Sequence, residues 1–114
     1  MKSLSAFASV CLVALASLTT STAALADDDA KIDARISAWG VACKNRVAAT
    51  YPKSVMADIS VEVGLTQKQA IDAGQITLKD IKQNGLSFNW QYRKHTGYCN
   101  TDGNGNVTDF VKLQ

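Results

Sequence analysis

Leu86-Ser87-Phe88-Asn89-Trp90-Gln91-Tyr92-Arg93 decides the fold. Large apolar residues occupy every second position and polar residues fill the gaps, which is the period of a strand with one buried face. Such a face needs a second layer, and the chain upstream supplies one. Ile32, Ile36, Trp39, Cys43, Val47 and Tyr51 recur at steps of three and four, the stripe of an amphipathic helix. Lys31, Asp33, Arg35, Ser37, Lys44 and Asn45 fall off that stripe. Asp27, Asp28 and Asp29 place negative charge at the helix start, and Pro52 stops it. Gly40 interrupts the interior at a cost of about 1 kcal/mol relative to alanine. It is expected to admit another element close beside Trp39, or to bend the helix.

Between these two segments lie a strand and a helical connection. Val55, Ala57, Ile59, Val61 and Val63 alternate with Met56, Asp58, Ser60 and Glu62, so a first strand is expected over 55–63, ended by Gly64. Thr66 followed by Gln69, and Thr77 followed by Asp80, have the spacing of helix caps. Gly74 and Asn84-Gly85 stand where those two short helices would stop. Ile71, Ile76, Leu78 and Ile81 are the residues they offer for packing. Downstream, Lys94-His95-Thr96-Gly97 reads as a turn and Tyr98–Thr101 as a short strand carrying Cys99. Asp102-Gly103-Asn104-Gly105 is a hairpin signal, and a last strand is expected over 107–113. Its facing stays open, because Val107 and Val111 point one way and Phe110 the other.

These elements define an α+β domain. A long N-terminal helix packs on a four-stranded antiparallel sheet, with a short helical connection between strands 1 and 2. The element order resembles cystatin-like and pilin-like helix-on-sheet folds. That resemblance carries no functional residue across. The core is expected to contain Ile32, Ile36, Trp39, Val47, Ile59, Val61, Phe88 and Trp90.

The first residues have another purpose. Met1-Lys2 is followed by an apolar run and then by Ala24-Leu25-Ala26, a small-residue cleavage pattern. This is the order of a secretory signal, so residues 1–26 are expected to be cleaved and residues 27–114 to form a single small domain. Thr19-Thr20-Ser21-Thr22 ends the apolar run short of the roughly 20 residues a membrane span requires. Cys11 leaves with the signal, and Cys43 and Cys99 remain as a pair in an exported chain. A periplasmic or secreted location is oxidising, and a structural disulfide follows. The chain-entropy model makes that bridge worth roughly 4 kcal/mol. Cys99 lies on a short strand with few other anchors, so reduction is expected to loosen the C-terminal hairpin first.

Composition narrows the function. The whole chain is 12.2 kDa with 19% charged residues and a formal net charge of +2, which excludes a disordered polyelectrolyte and gives no electrostatic case for nucleic acid as a dedicated partner. A domain this small leaves little interior for a large cofactor, and none is expected. Three groups of residues could carry chemistry. Arg93, Lys94, His95 and Tyr98, beside Trp90 and Tyr92, suit a partner-binding patch. Trp90 and Tyr92 themselves are expected in the core. Asn100, Asp102 and Asn104, followed by Gly105, match the opening of a calcium loop. The position of its bidentate acid is Val111, however, and a hairpin explains the same residues without an ion. His95 is the sole histidine, and catalysis would need a carboxylate to orient it.

The reading that results is a small exported, non-enzymatic protein, a binding or inhibitor-like module for a protein or envelope component. It has no nucleic-acid partner and no stable membrane insertion after cleavage. Its alternatives are a small secreted enzyme using His95 with a carboxylate and a weak calcium-binding structural module.

Overall fold

The computed structural model describes residues 27–114. The expected signal segment, residues 1–26, lies outside the described residues, and so does Cys11. Among the described residues, 27–31 fall in one unit and Ile32–Gln114 form a second, compact one. In the first, Lys31 Nζ lies 3.1 Å from Asp27 Oδ2, an exposed pair one helical turn apart.

Helix α1 covers residues 27–50. Its apolar stripe is the buried one: Ile32, Trp39, Cys43 and Val47 are in the core, and Ile36 and Tyr51 pack against it. After the helix the Ser54 N–H donates to the Tyr51 carbonyl at 2.9 Å, turning the chain back at Pro52. A 3-10 turn, Met56–Asp58, leads into β1, Ile59–Val63. Then come α2, Leu65–Asp72, and α3, Leu78–Asn84. The sheet is completed by β2, Ser87–Tyr92, β3, His95–Thr101, and β4, Val107–Lys112. It is antiparallel in the order β1-β2-β3-β4.

The sheet register explains which residues are inside. Ile59, Val61 and Val63 pair with Tyr92, Trp90 and Phe88, and these in turn with His95, Gly97 and Cys99. All of these positions share the face that α1 covers, because facing residues of neighbouring strands point the same way. The Cys43–Cys99 disulfide joins the two layers across a Cα–Cα distance of 6.0 Å. Trp90 and Tyr92 are core residues, as their alternation indicates. Of the expected core, Ile36 and Val61 are only partly buried. Ile81 and Leu86 are more deeply buried than either, because α3 and the start of β2 close one side of the domain.

Three local readings change and one left open is settled, each for a tertiary reason. The strand expected over 55–63 begins only at Ile59. Its partner β2 ends at Tyr92, opposite Ile59, so residues 55–58 have no backbone to pair with. They turn instead, with the Asp58 N–H donating to the Val55 carbonyl at 2.9 Å.

Thr66 does not cap α2. The helix starts at Leu65 directly off β1, with Gly64 as the N-cap and its carbonyl accepting the Lys68 N–H at 2.9 Å. The capping box of α3 does form: the Thr77 N–H donates to Asp80 Oδ2 at 2.9 Å, and the Asp80 N–H donates to Thr77 Oγ1 at 3.4 Å.

The turn expected at Lys94–Gly97 is a two-residue turn at Arg93-Lys94, and β3 starts at His95. Gly97 belongs to the strand. A Cβ there would lie 2.6 Å from the Trp90 ring and 2.0 Å from the Val111 carbonyl, so the glycine makes room for the indole.

The facing of β4 is settled by a β-bulge. Asn100 pairs with Asp109 but Thr101 pairs with Val107, leaving Thr108 extra. The extra residue reverses the alternation. Val107 and Phe110 therefore both pack on the core, while Val111 sits beside Tyr98 on the outer face.

Candidate functional site

The C-terminal end of α1 and the β2–β3 turn meet at one end of the domain. Tyr51, the last residue of the helical stripe, stacks on His95 with ring centroids 4.9 Å apart and planes 16° apart. It also contacts Tyr92 at 5.1 Å and Trp90 at 6.2 Å. Trp90 stacks on Phe110 at 5.3 Å. The rings form a ladder running along the helix–sheet seam, with an arginine over each end. Arg46 lies 5.7 Å from the Phe110 centroid and Arg93 lies 5.5 Å from the Tyr92 centroid. Cations are attracted to ring faces, worth about 0.5–1 kcal/mol each at exposed sites.

The tip itself is basic. Lys53, Arg93 and Lys94 are exposed, and among the described residues none of them forms an ion pair. Arg93 has φ +55°, a left-handed conformation that Gly and Asn adopt more readily than Arg. A shallow cavity of about 340 Å³ lies alongside, lined by Thr50, Tyr51, Pro52, Lys53, Ser54 and Tyr92. Two oxygens of its lining residues, Tyr51 Oη and Ser54 Oγ, are buried without a hydrogen-bond partner among the described residues. Unspent polar capacity of this kind is uncommon in native structures.

The patch expected from the sequence is thus partly assembled. Arg93, Lys94 and His95 share the tip, but Tyr98 does not. It pairs with Asn89 and Val111 on the sheet's outer face, the side opposite His95. Tyr51, Lys53 and Ser54 are the members that reading the sequence missed. They lie some forty positions upstream, and only the helix–sheet packing brings them in. His95 is the first residue of β3 rather than a turn residue, and no carboxylate among the described residues hydrogen-bonds to it.

The weak calcium candidates are committed elsewhere. Asp102 Oδ1 accepts the backbone N–H groups of Asn104 at 2.9 Å and Asn106 at 3.0 Å, and Oδ2 accepts the Asn106 amide at 3.4 Å. These bonds, led by the Asn106 backbone N–H, hold the Asp102 carboxyl below its ordinary 3.8. Asn100 faces away, accepting from Ser87 Oγ at 2.7 Å and donating to Asp109 Oδ2 at 3.3 Å. Gly105, at φ +85°, brings the loop backbone against Trp39, and a Cβ there would lie 2.3 Å from the indole nitrogen. The run is a hairpin turn docked on α1. Among the described residues no group of three or more His, Cys, Asp or Glu converges as a metal site would require.

What the fold and site define is a disulfide-stapled α+β domain with a basic, aromatic-backed tip. No family model matches the chain, and no curated protein or solved structure matches it either. The likeness to cystatin-like and pilin-like folds therefore stays at the level of element order. Among the described residues no helix is long and apolar enough to cross a membrane. The disulfide is compatible with an extracellular or periplasmic setting.

Proposed function

We propose that the protein is a small exported, non-enzymatic binding module that docks through its basic tip on a negatively charged envelope component. The occupant is the anionic headgroup layer of a membrane, held from the surface without insertion. The supporting observation is Arg93. An exposed arginine occupies a left-handed turn position that favours glycine, beside two further lysines that form no ion pair among the described residues. Backbone outliers of this kind cluster at functional turns. A scaffold stapled between helix and sheet presents the tip with its backbone already ordered, which lowers the entropic cost of binding. The notion of an inhibitor-like module for an acidic protein surface uses the same cations and is the competing form of this reading.

The test is co-sedimentation of the exported protein with vesicles. Binding should require phosphatidylglycerol, be absent with phosphatidylcholine alone, and fall steeply with added salt. Each cation near such a surface contributes about 1 kcal/mol, so Arg93→Gln with Lys94→Gln should weaken binding about 30-fold. Equal binding to neutral vesicles, or no effect of the double substitution, would overturn the membrane reading.

A further inference from the structure

A second surface runs along the edge of β1, from beside the tip, where Ile59 pairs with Tyr92, toward α2. Among the described residues the sheet order leaves no strand on the outer side of β1. The Gly64 N–H donates to the Ser87 carbonyl at 3.1 Å, which fixes the phase of the ladder. Hydrogen-bonded pairs alternate in an antiparallel sheet, so Glu62 and Ser60 face β2, and Val61 and Val63 turn their N–H and C=O groups outward. Natural sheets blunt such edges with lysine, proline or a covering element. This edge is instead framed by exposed apolar residues. Val55 and Met56 precede β1 at 61% and 39% exposure, Leu65 follows it at 68%, and Val41 on α1 is 51% exposed. Among the described residues the other large apolar residue so exposed is Leu113, beyond the end of β4.

Two grooves run along the same edge and share Ile36, Val61, Glu62 and Val63. One is about 240 Å³ and reaches Gly40 and Val41. The other is about 630 Å³ and continues between α1 and α2 to Leu65 and Ile71. Together the two linings carry three carboxylates, Asp33, Glu62 and Asp72, against two lysines, Lys44 and Lys68, a net acidic edge.

We infer that the β1 edge is a peptide-docking site. It takes an extended, basic segment of a partner protein as a fifth strand. Main-chain hydrogen bonds to Val61 and Val63 hold the segment. Alternate apolar side chains enter the groove over Ile36, Leu65 and Ile71, and lysine or arginine side chains meet the carboxylate rim. This is strand addition, in which the backbone supplies affinity and the pockets supply specificity. The rim decides against a second copy of this chain. Two copies paired edge to edge about the middle of this edge would set Glu62 against Glu62 and a net acidic lining against itself, a like-charge contact.

The test is selection from a displayed random heptapeptide library on the folded, disulfide-bonded protein. Enriched peptides should alternate apolar residues and carry lysine or arginine. In the 15N-labelled protein a synthetic copy should shift the amides of Val61, Val63 and Leu65 while leaving Arg93 and Lys94 unmoved. Methylating the peptide's backbone nitrogens at alternate positions should abolish binding in one phase and spare it in the other. Glu62→Lys with Asp72→Lys, both exposed, should weaken binding by about tenfold or more. No enrichment, enriched peptides without alternation or basic residues, or binding indifferent to the charge reversal would overturn the site. A concentration-dependent dimer that loses its association on Glu62→Lys would also overturn it, assigning the edge to a second copy. The tip variants Arg93→Gln and Lys94→Gln should bind the peptides normally, so the two surfaces fail or succeed separately.

Discussion

Breaking the Cys43–Cys99 bond is the perturbation whose consequences the structure specifies most closely. Both cysteines are fully buried, at 0% exposure, and they are 56 residues apart in sequence. Releasing a loop of that size returns about 4 kcal/mol of conformational entropy to the unfolded chain. A domain of this size loses about 4–8 °C of melting temperature per kcal/mol. Reduction should therefore lower the midpoint by about 20 °C. The pairing of β3 also motivates a prediction of which part goes first, and it is a different one from that drawn from the sequence. Cys99 is not on a weakly held strand, because β3 pairs with β2 on one side and β4 on the other. Among the described residues no backbone hydrogen bond joins α1 to the sheet, and side chains such as Trp39, Val47 and Tyr51 pack it there. Cutting the bridge should release α1 before the hairpin. Thermal melts with and without reductant, with thiol counting to show that the bond is broken, give the magnitude. Hydrogen exchange of the reduced protein gives the order: amides of residues 36–48 should lose protection while those around Phe88 and Cys99 keep it. A midpoint shift below about 5 °C, or loss of protection in β3 and β4 first, would refute the reasoning.

Three further outcomes follow from particular residues. Gly40→Ala should stabilise the domain by about 0.5–1 kcal/mol, read as a higher midpoint, because the added Cβ would meet Phe88 at an ordinary 3.6 Å and alanine is the better helix former. Arg93→Gly should raise or preserve stability by relieving the left-handed backbone while weakening vesicle binding, a split visible by comparing melts with co-sedimentation. Asp102 and Asp80 both have carboxyls held below the usual 3.8 in the folded state, so each adds stability that is present above that value and lost as pH falls through the lowered one. In acid titrations followed by circular dichroism, Asp102→Asn should flatten the loss of stability below about pH 4 and leave the neutral-pH slope unchanged.

Much of this molecule was legible from local pattern because its local signals agree. The stripe from Ile32 to Tyr51 and the alternation from Leu86 to Tyr92 each state a period that only one secondary structure satisfies, and both recur in the fold with the same face inward. The Thr77/Asp80 box and the pairing of Cys43 with Cys99 were legible for the same reason: each depends on residue type and spacing along the chain. What the tertiary structure decided depends on neighbours that a one-dimensional reading does not contain. Residues 55–58 have the pattern of a strand and lack a partner, so they turn. Gly97 has the identity of a turn residue and serves to seat Trp90. Phe110 and Val107 share a face only because the pairing with β3 leaves Thr108 over as a bulge. The tip likewise joins Tyr51, Lys53 and Ser54 to Arg93 and His95 through the packing of one layer on the other. The physical reason is common to all of these. Periodicity records which side of an element avoids water, whereas pairing, bulges and close approach are set by the backbone that lies across from it.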